Sequence, residues 1–175
     1  AYGSSFTDQI QGDQGVNVLE GLGGKDTMWG LGGNDIMRGG AAHDAMAGGL
    51  GNDLIAGQAG VDDMWGQGGN DQFVFGAISE TGKTAASRDW IGDFTHAQDK
   101  IHLINIDANT KAGMAGNQAF TFIGSAAFTT VGGQLRVTHE GGNTIVNGDI
   151  NGDRVTDFQI ELQGNVALTA IDFVL

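Results

Sequence analysis

The sequence predicts an all-β protein, a parallel β-roll of nine-residue units over residues 1–74 followed by an antiparallel, β-sandwich-like cap over residues 75–175. Three columns in one register predict the roll. Aspartates stand nine residues apart at Asp26, Asp35, Asp44, Asp53, Asp62 and Asp71, with Asn17 and Asp8 continuing the column backwards. Five residues before each stands a glycine, from Gly3 to Gly66. Two residues after each stands an apolar side chain: Ile10, Leu19, Met28, Met37, Met46, Ile55, Met64 and Phe73. The cap is predicted by a change of texture after Phe73, where the register stops and longer alternating apolar runs begin.

Each unit divides into a turn and a strand. Glycine tolerates positive φ, so the glycine-rich half is a tight turn and the other three residues form a short strand. The middle residue of such a strand points opposite to its neighbours. The apolar column therefore faces inward and its neighbours face water. With two units per coil, every second unit stacks. One interior ladder is then Leu19, Met37, Ile55 and Phe73, and the other is Ile10, Met28, Met46 and Met64. Methionine's flexible thioether suits so thin an interior. In the second half FVF, WIGDF, KIHLI, AFTFI, QLRVTHE, TIVNGD, DFQIEL and AIDFVL read as strands, and Ala108 to Gln118 as room for a short helix.

Composition narrows the function. Of 175 residues 32 are glycine and none is proline or cysteine, which removes disulfides and thiolate metal sites. Eight basic residues against 21 acidic ones give a net charge of −13, a surface that repels nucleic acid and anionic membranes and attracts cations. No apolar run is long enough to span a bilayer, and no basic-then-apolar leader opens the chain. The chain reads as a C-terminal fragment or a small exported protein.

Stacked aspartates about 4.8 Å apart repel by roughly 0.9 kcal/mol per pair even in water, and the glycines add ordering entropy. One apolar residue per unit cannot offset both, so the columns call for a hard divalent cation. Oxygen ligands in a flexible cage fit calcium better than magnesium or zinc. A metal-free chain is then expected to have a largely unfolded first half.

The units GLGGNDIMR and GGLGNDLIA resemble the calcium-binding nonapeptide repeat of RTX (hemolysin-type) proteins, a likeness that runs from about Gly12 to Val74. The resemblance implies calcium held between stacked turns by aspartate carboxylates and turn carbonyls, at Asp26 with Asp44, Asp35 with Asp53, Asp44 with Asp62, and Asp53 with Asp71. Departures are Leu22, Leu31, Gln58 and Gln67 for the second glycine, Ala41–Ala42 in one turn, and Asn17 for aspartate. The second half, through RDWIGDFTHAQDKIHL and the terminal Asp172-Phe173-Val174-Leu175, resembles the C-terminal domain of serralysin-type secreted metalloproteases. That resemblance implies a further calcium at Asp89 and Asp99, with Glu80 as the nearest partner acid. It also implies a type I secretion signal at the terminus, hence export through that apparatus to the medium. Asp149, Asn151, Asp153 and Asp157 stand at positions one, three, five and nine of an EF-hand-like loop, although Arg154 replaces the turn glycine.

No catalytic site is legible. AISETGKT matches a relaxed phosphate loop, but no amphipathic helix follows it. His43, His96, His102 and His139 are scattered, without H-E-x-x-H. The expected function is therefore a calcium-folded secretion module, with no enzyme activity of its own, for an exported protein with a possible N-terminal partner domain. One alternative is the tail of a serralysin-like zinc metalloprotease. Another is an adhesive or glycan-binding module using Trp29 and Trp65, which share an outward column about 9.6 Å apart with Ala47 between.

Overall fold

The computed structural model describes residues 1–110 and 116–175. The roll is built from β1 (Gln9–Gln11), β2 (Val18–Gly23), β3 (Thr27–Gly32), β4 (Ile36–Ala41), β5 (Ala45–Leu50), β6 (Leu54–Ala59), β7 (Asp63–Gly68) and β8 (Gln72–Val74). Odd and even strands separate into two parallel sheets, each strand pairing with the one two units away. The two interior ladders are in the expected register, Leu19↔Met37↔Ile55↔Phe73 and Ile10↔Met28↔Met46↔Met64, and all eight side chains are buried.

Two details differ from the expectation. The strands are not three residues long: β2 to β7 each span six and run on into the glycine half. They can do so because the first glycine of each unit turns its Cα inward and has no Cβ to obstruct the neighbouring turn. A Cβ on Gly39 would stand 2.5 Å from Asp44 Oδ2 and 2.8 Å from the Gly57 carbonyl oxygen. The strand tips then bend at left-handed residues. Gly40 and Gly49 take φ of +115° and +117°, and the glycine substitutes Leu22, Leu31, Gln58 and Gln67 take 75°, 80°, 71° and 68°.

The second difference is that stacking continues where the sequence register stops. The strands β9 (Asp89–Ile91) and β10 (Lys100–His102) add in parallel to β7 and β8. Ile91 and Ile101 thereby extend the two interior ladders, and both are fully buried. The remaining strands are β11 (Thr121–Phe122), β12 (Gln134–Glu140), β13 (Asn143–Asp149), β14 (Phe158–Leu162) and β15 (Phe173–Val174). Of these, β12, β13 and β14 form the antiparallel part, and β14 joins the roll through parallel pairing with β9. The terminal strand β15 pairs in parallel with β10. The result is a nine-stranded sheet facing a six-stranded one over a shared core.

All eight predicted runs carry a strand. Among the described residues the only helices are 3-10 turns at Ile78–Glu80 and Ala170–Asp172, so the segment Ala77–Thr84 has no helix behind it on which to seat a phosphate. The centre of the predicted Ala108–Gln118 helix, residues 111–115, lies outside the described residues. No helix among the described residues is long and apolar enough to cross a membrane.

Candidate metal centre

The aspartate columns run along the two edges of the roll. One edge carries Asp26, Asp44, Asp62 and Asp89, and the other Asp35, Asp53, Asp71 and Asp99. Within each column Oδ1 accepts the backbone N–H of the aspartate one rung earlier: Asp44 from Asp26, Asp62 from Asp44, Asp53 from Asp35 and Asp71 from Asp53, each at 2.8 Å. The pairs anticipated from the sequence are thus brought together. Asp89 accepts from Asp62 at 2.8 Å and Asp99 from Asp71 at 2.9 Å, so the two continue the columns, one on each edge.

The other oxygen of each carboxylate sets the chemistry. Oδ2 of Asp26, Asp35, Asp44, Asp53, Asp62, Asp71 and Asp89 is buried without a hydrogen-bond partner. These side chains are at most 2% exposed. A buried acceptor without a donor, repeated along a ladder of like charges, has no source of stabilisation within the protein. Burial accordingly pushes every one of these carboxyls up, and neighbouring aspartates push the same way. Asp44 rises to about 6, Asp62 and Asp71 to about 7, and Asp89 to about 8. Burial raises Asp26, Asp35, Asp53 and Asp99 as well.

At the ends of the columns the same group behaves differently. Asp8 Oδ2 accepts from Ser4 N–H at 2.6 Å and Ser4 Oγ at 2.8 Å. Asn17 Oδ1 accepts from Asp13 N–H at 2.6 Å, and Asp99 Oδ2 from Thr95 N–H at 2.7 Å. These three terminal side chains are satisfied by the residue four earlier; the fourth, Asp89, keeps a bare Oδ2 like those between.

The donor set fits a hard cation if backbone supplies most of it. Among the described residues no three or more His, Cys, Asp or Glu side chains converge on one point. Carboxylates come two per pair of stacked turns, and the further oxygens at hand are carbonyls such as that of Gly57, which faces Asp44 Oδ2 across the inward Cα of Gly39. Calcium accepts such mixed carboxylate and carbonyl cages. The resemblance implied turn carbonyls in general, and the inward first-glycine column marks where they stand. Not anticipated was Thr81, whose Oγ1 accepts the Asp89 N–H at 3.0 Å. Glu80 is turned to its own loop, where Oε2 accepts the Gly76 N–H at 2.6 Å.

The loop Asp149 to Asp157 is placed apart from the columns, after β13. Buried Asp149 accepts from the N–H groups of Asn151, Gly152 and Arg154 at 3.2, 2.6 and 3.0 Å. Asn151 Oδ1 accepts from Asp153 N–H, Asp153 Oδ1 from Val155 N–H, and Asp157 Oδ2 from Ile150 N–H. Arg154, where an EF-hand loop has glycine, takes a left-handed φ of +71°.

Comparison with known proteins agrees with this architecture. The AlgE6R3 subunit of the mannuronan C5-epimerase of Azotobacter vinelandii superposes with a TM-score of 0.53 at 24% identity, over 98% of this chain and 80% of that one. The AlgE6R2 subunit of the same enzyme superposes with a TM-score of 0.53 at 25% identity, over 98% and 89%. No curated protein matches the chain. Residues 6–175 match the family model described as peptidase M10 serralysin C terminal. An RTX-type roll and its cap, matched almost end to end, place the chain in the serralysin C-terminal family, to which it belongs.

Proposed function

We propose that the chain is a calcium-folded module of a secreted protein, with residues 1–74 as most of the calcium-loaded roll and residues 75–175 supplying its last rungs, β9 and β10, and the cap that closes it. The row of seven buried carboxylate oxygens without partners carries this reading. Asp26, Asp35, Asp44, Asp53, Asp62, Asp71 and Asp89 each spend one oxygen on the rung before and hold the other toward the turn. A calcium ion between two stacked turns would supply the positive charge that those paired carboxylates lack. Asp99 would complete the last pair with both of its oxygens already accepting backbone N–H groups, and Asn17 the first pair without a charge. The loop of Asp149, Asn151, Asp153 and Asp157 is a further, separate candidate, weakened by the arginine in its turn.

The cellular role follows from the coupling. In low calcium the carboxylate ladders repel and the roll stays open, a state suited to passage through a type I secretion apparatus. Outside the cell the roll closes. The chain's own residues bind cations and order the backbone, and they carry out no catalysis. The family match favours a second, compatible reading in which the module ends a serralysin-like zinc peptidase whose catalytic domain is a separate, N-terminal part. Zinc-dependent proteolysis by this chain alone would contradict the non-catalytic role.

The test is a calcium titration followed by far-UV circular dichroism at pH 8, with magnesium as control. A cooperative gain of β-structure with calcium alone is the expected result. A complete β signal in excess chelator, unchanged by calcium, would overturn the proposal.

A further inference from the structure

The outer face of the nine-stranded sheet carries a feature that cation binding does not explain. Trp29, Ala47 and Trp65 lie in one cross-strand row, in register on β3, β5 and β7. Between the two indoles runs a groove of about 260 Å³ lined by Thr27, Met28, Trp29, Ala45, Met46, Ala47 and Trp65. None of these side chains is charged. Trp29 is 37% exposed, an unusual place for so large an apolar surface. Trp65 is held from the far side, its ring meeting Trp90 edge-to-face with centroids 5.1 Å apart. Gly92 makes that packing possible, since a Cβ there would collide with Trp65 Nε1 and stand 2.6 Å from the Trp90 ring. Neither groove indole donates its N–H to a protein acceptor among the described residues.

The row is therefore one ordered indole, one exposed indole and a methyl-sized floor between them, two strand spacings or about 9.6 Å end to end. We propose that it binds a neutral β-1,4-linked glycan lying along the roll axis. Three properties select that ligand. A sugar with equatorial hydroxyls shows flat C–H faces, which stack on aromatic rings. A sugar unit in an extended β-1,4 chain is close to one strand spacing in length, so alternate rings fall on Trp29 and Trp65 while the ring between passes over Ala47. The uncharged lining and the net charge of −13 disfavour an anionic polysaccharide. Because Trp65 is already packed, little side-chain freedom is lost on binding.

The test uses the full chain with saturating calcium and follows tryptophan fluorescence during titration with cellohexaose. A mannuronate hexamer serves as the anionic control and maltohexaose as the control for linkage. Saturable binding of cellohexaose alone is expected, weakened about tenfold in Trp29→Ala, one aromatic stack's worth. Ala47→Arg, which keeps both indoles and blocks the floor, should abolish it, with circular dichroism confirming that both variants fold. The proposal falls if cellohexaose gives no saturable response, if either control binds equally well, or if binding survives both substitutions. Calcium-dependent folding is read separately by circular dichroism, so loss of this site leaves the cation-binding proposal untouched.

Discussion

At the scale of single residues, backbone conformation and carboxylate burial give opposite demands at adjacent positions. The turns need left-handed φ, which costs an L-residue about 1–2 kcal/mol relative to glycine, against about 0.5–1 kcal/mol of extra glycine entropy. Ala42, at φ +90°, carries that strain, whereas its neighbour Ala41 does not. In urea denaturation with saturating calcium, Ala42→Gly should stabilise the fold by about 0.5–1 kcal/mol and Ala41→Gly should destabilise it by a similar amount. Equal losses from both would show that the left-handed turn is not strained. The carboxylates pose the converse case. Asp62 is fully buried with one unpartnered oxygen. At pH 8 Asp62→Asn removes a buried charge from the metal-free protein and a ligand from the metal-bound one. Circular dichroism should therefore show more β-structure in chelator than wild type and a calcium midpoint raised several-fold. A variant less folded in chelator would mean that the carboxylate stabilises the apo roll.

At the scale of elements, the ladders turn pH into a structural variable. Carboxyls raised from an ordinary 3.8 to about 6, 7, 7 and 8 at Asp44, Asp62, Asp71 and Asp89 hold their protons more tightly folded than unfolded. Their contribution to metal-free stability is complete below about pH 4 and is lost as pH climbs through 6 to 8. In chelator, β-structure should be greatest near pH 4–5 and fall toward pH 9, while calcium, which needs the ionised form, restores it most effectively at the alkaline end. A metal-free signal that stays level or grows from pH 5 to 9 would refute this coupling. The ladders also mark what could be read from sequence alone. Eight contiguous units sharing three columns placed every side chain of the core cluster from Ile10 to Phe73, because stacking requires the strict spacing that makes a period visible. The next rungs were hidden. Asp89 follows Asp62 by 27 residues and Asp99 follows Asp71 by 28, not by 18. Stacking in space asks only that a strand return one spacing away, so an intervening loop erases the period without breaking the ladder. That loop is anchored far from any repeat: buried Arg88 pairs with Glu161 at 2.7 Å and Glu140 at 3.0 Å, partners no local pattern could have named.

At the scale of the whole molecule, the two ends close by different means. At the N-terminal end Asp8 and Asn17 turn back onto Ser4 and Asp13, a local repair of the first rungs. At the other end a distant segment is recruited. β15 pairs with β10, Phe173 packs against Phe122 with centroids 5.1 Å apart, and Asp172 is fully buried. The Asp172 carboxylate accepts from the N–H groups of Ala97 at 2.8 Å and Thr169 at 2.6 Å and contacts His96 Nδ1 at 2.9 Å. Burial alone would raise Asp172, yet these partners outweigh it and hold the group below its usual value, the opposite direction to the column aspartates. The tail is thus fastened by one satisfied carboxylate, and the roll rests on many unsatisfied ones. Asp172→Ala leaves two backbone N–H groups unpaired, a loss of about 2–3 kcal/mol. If the tail opens as its own unit, amide exchange with saturating calcium should speed at Leu103, whose N–H is bonded to the Val174 carbonyl, by roughly 30- to 100-fold. Exchange at Ala45, bonded to the Asp26 carbonyl inside the roll, should stay unchanged. Equal acceleration at both sites would show instead that tail, cap and roll open together, and that fastening the last strand sets the stability of the calcium-loaded protein as a whole.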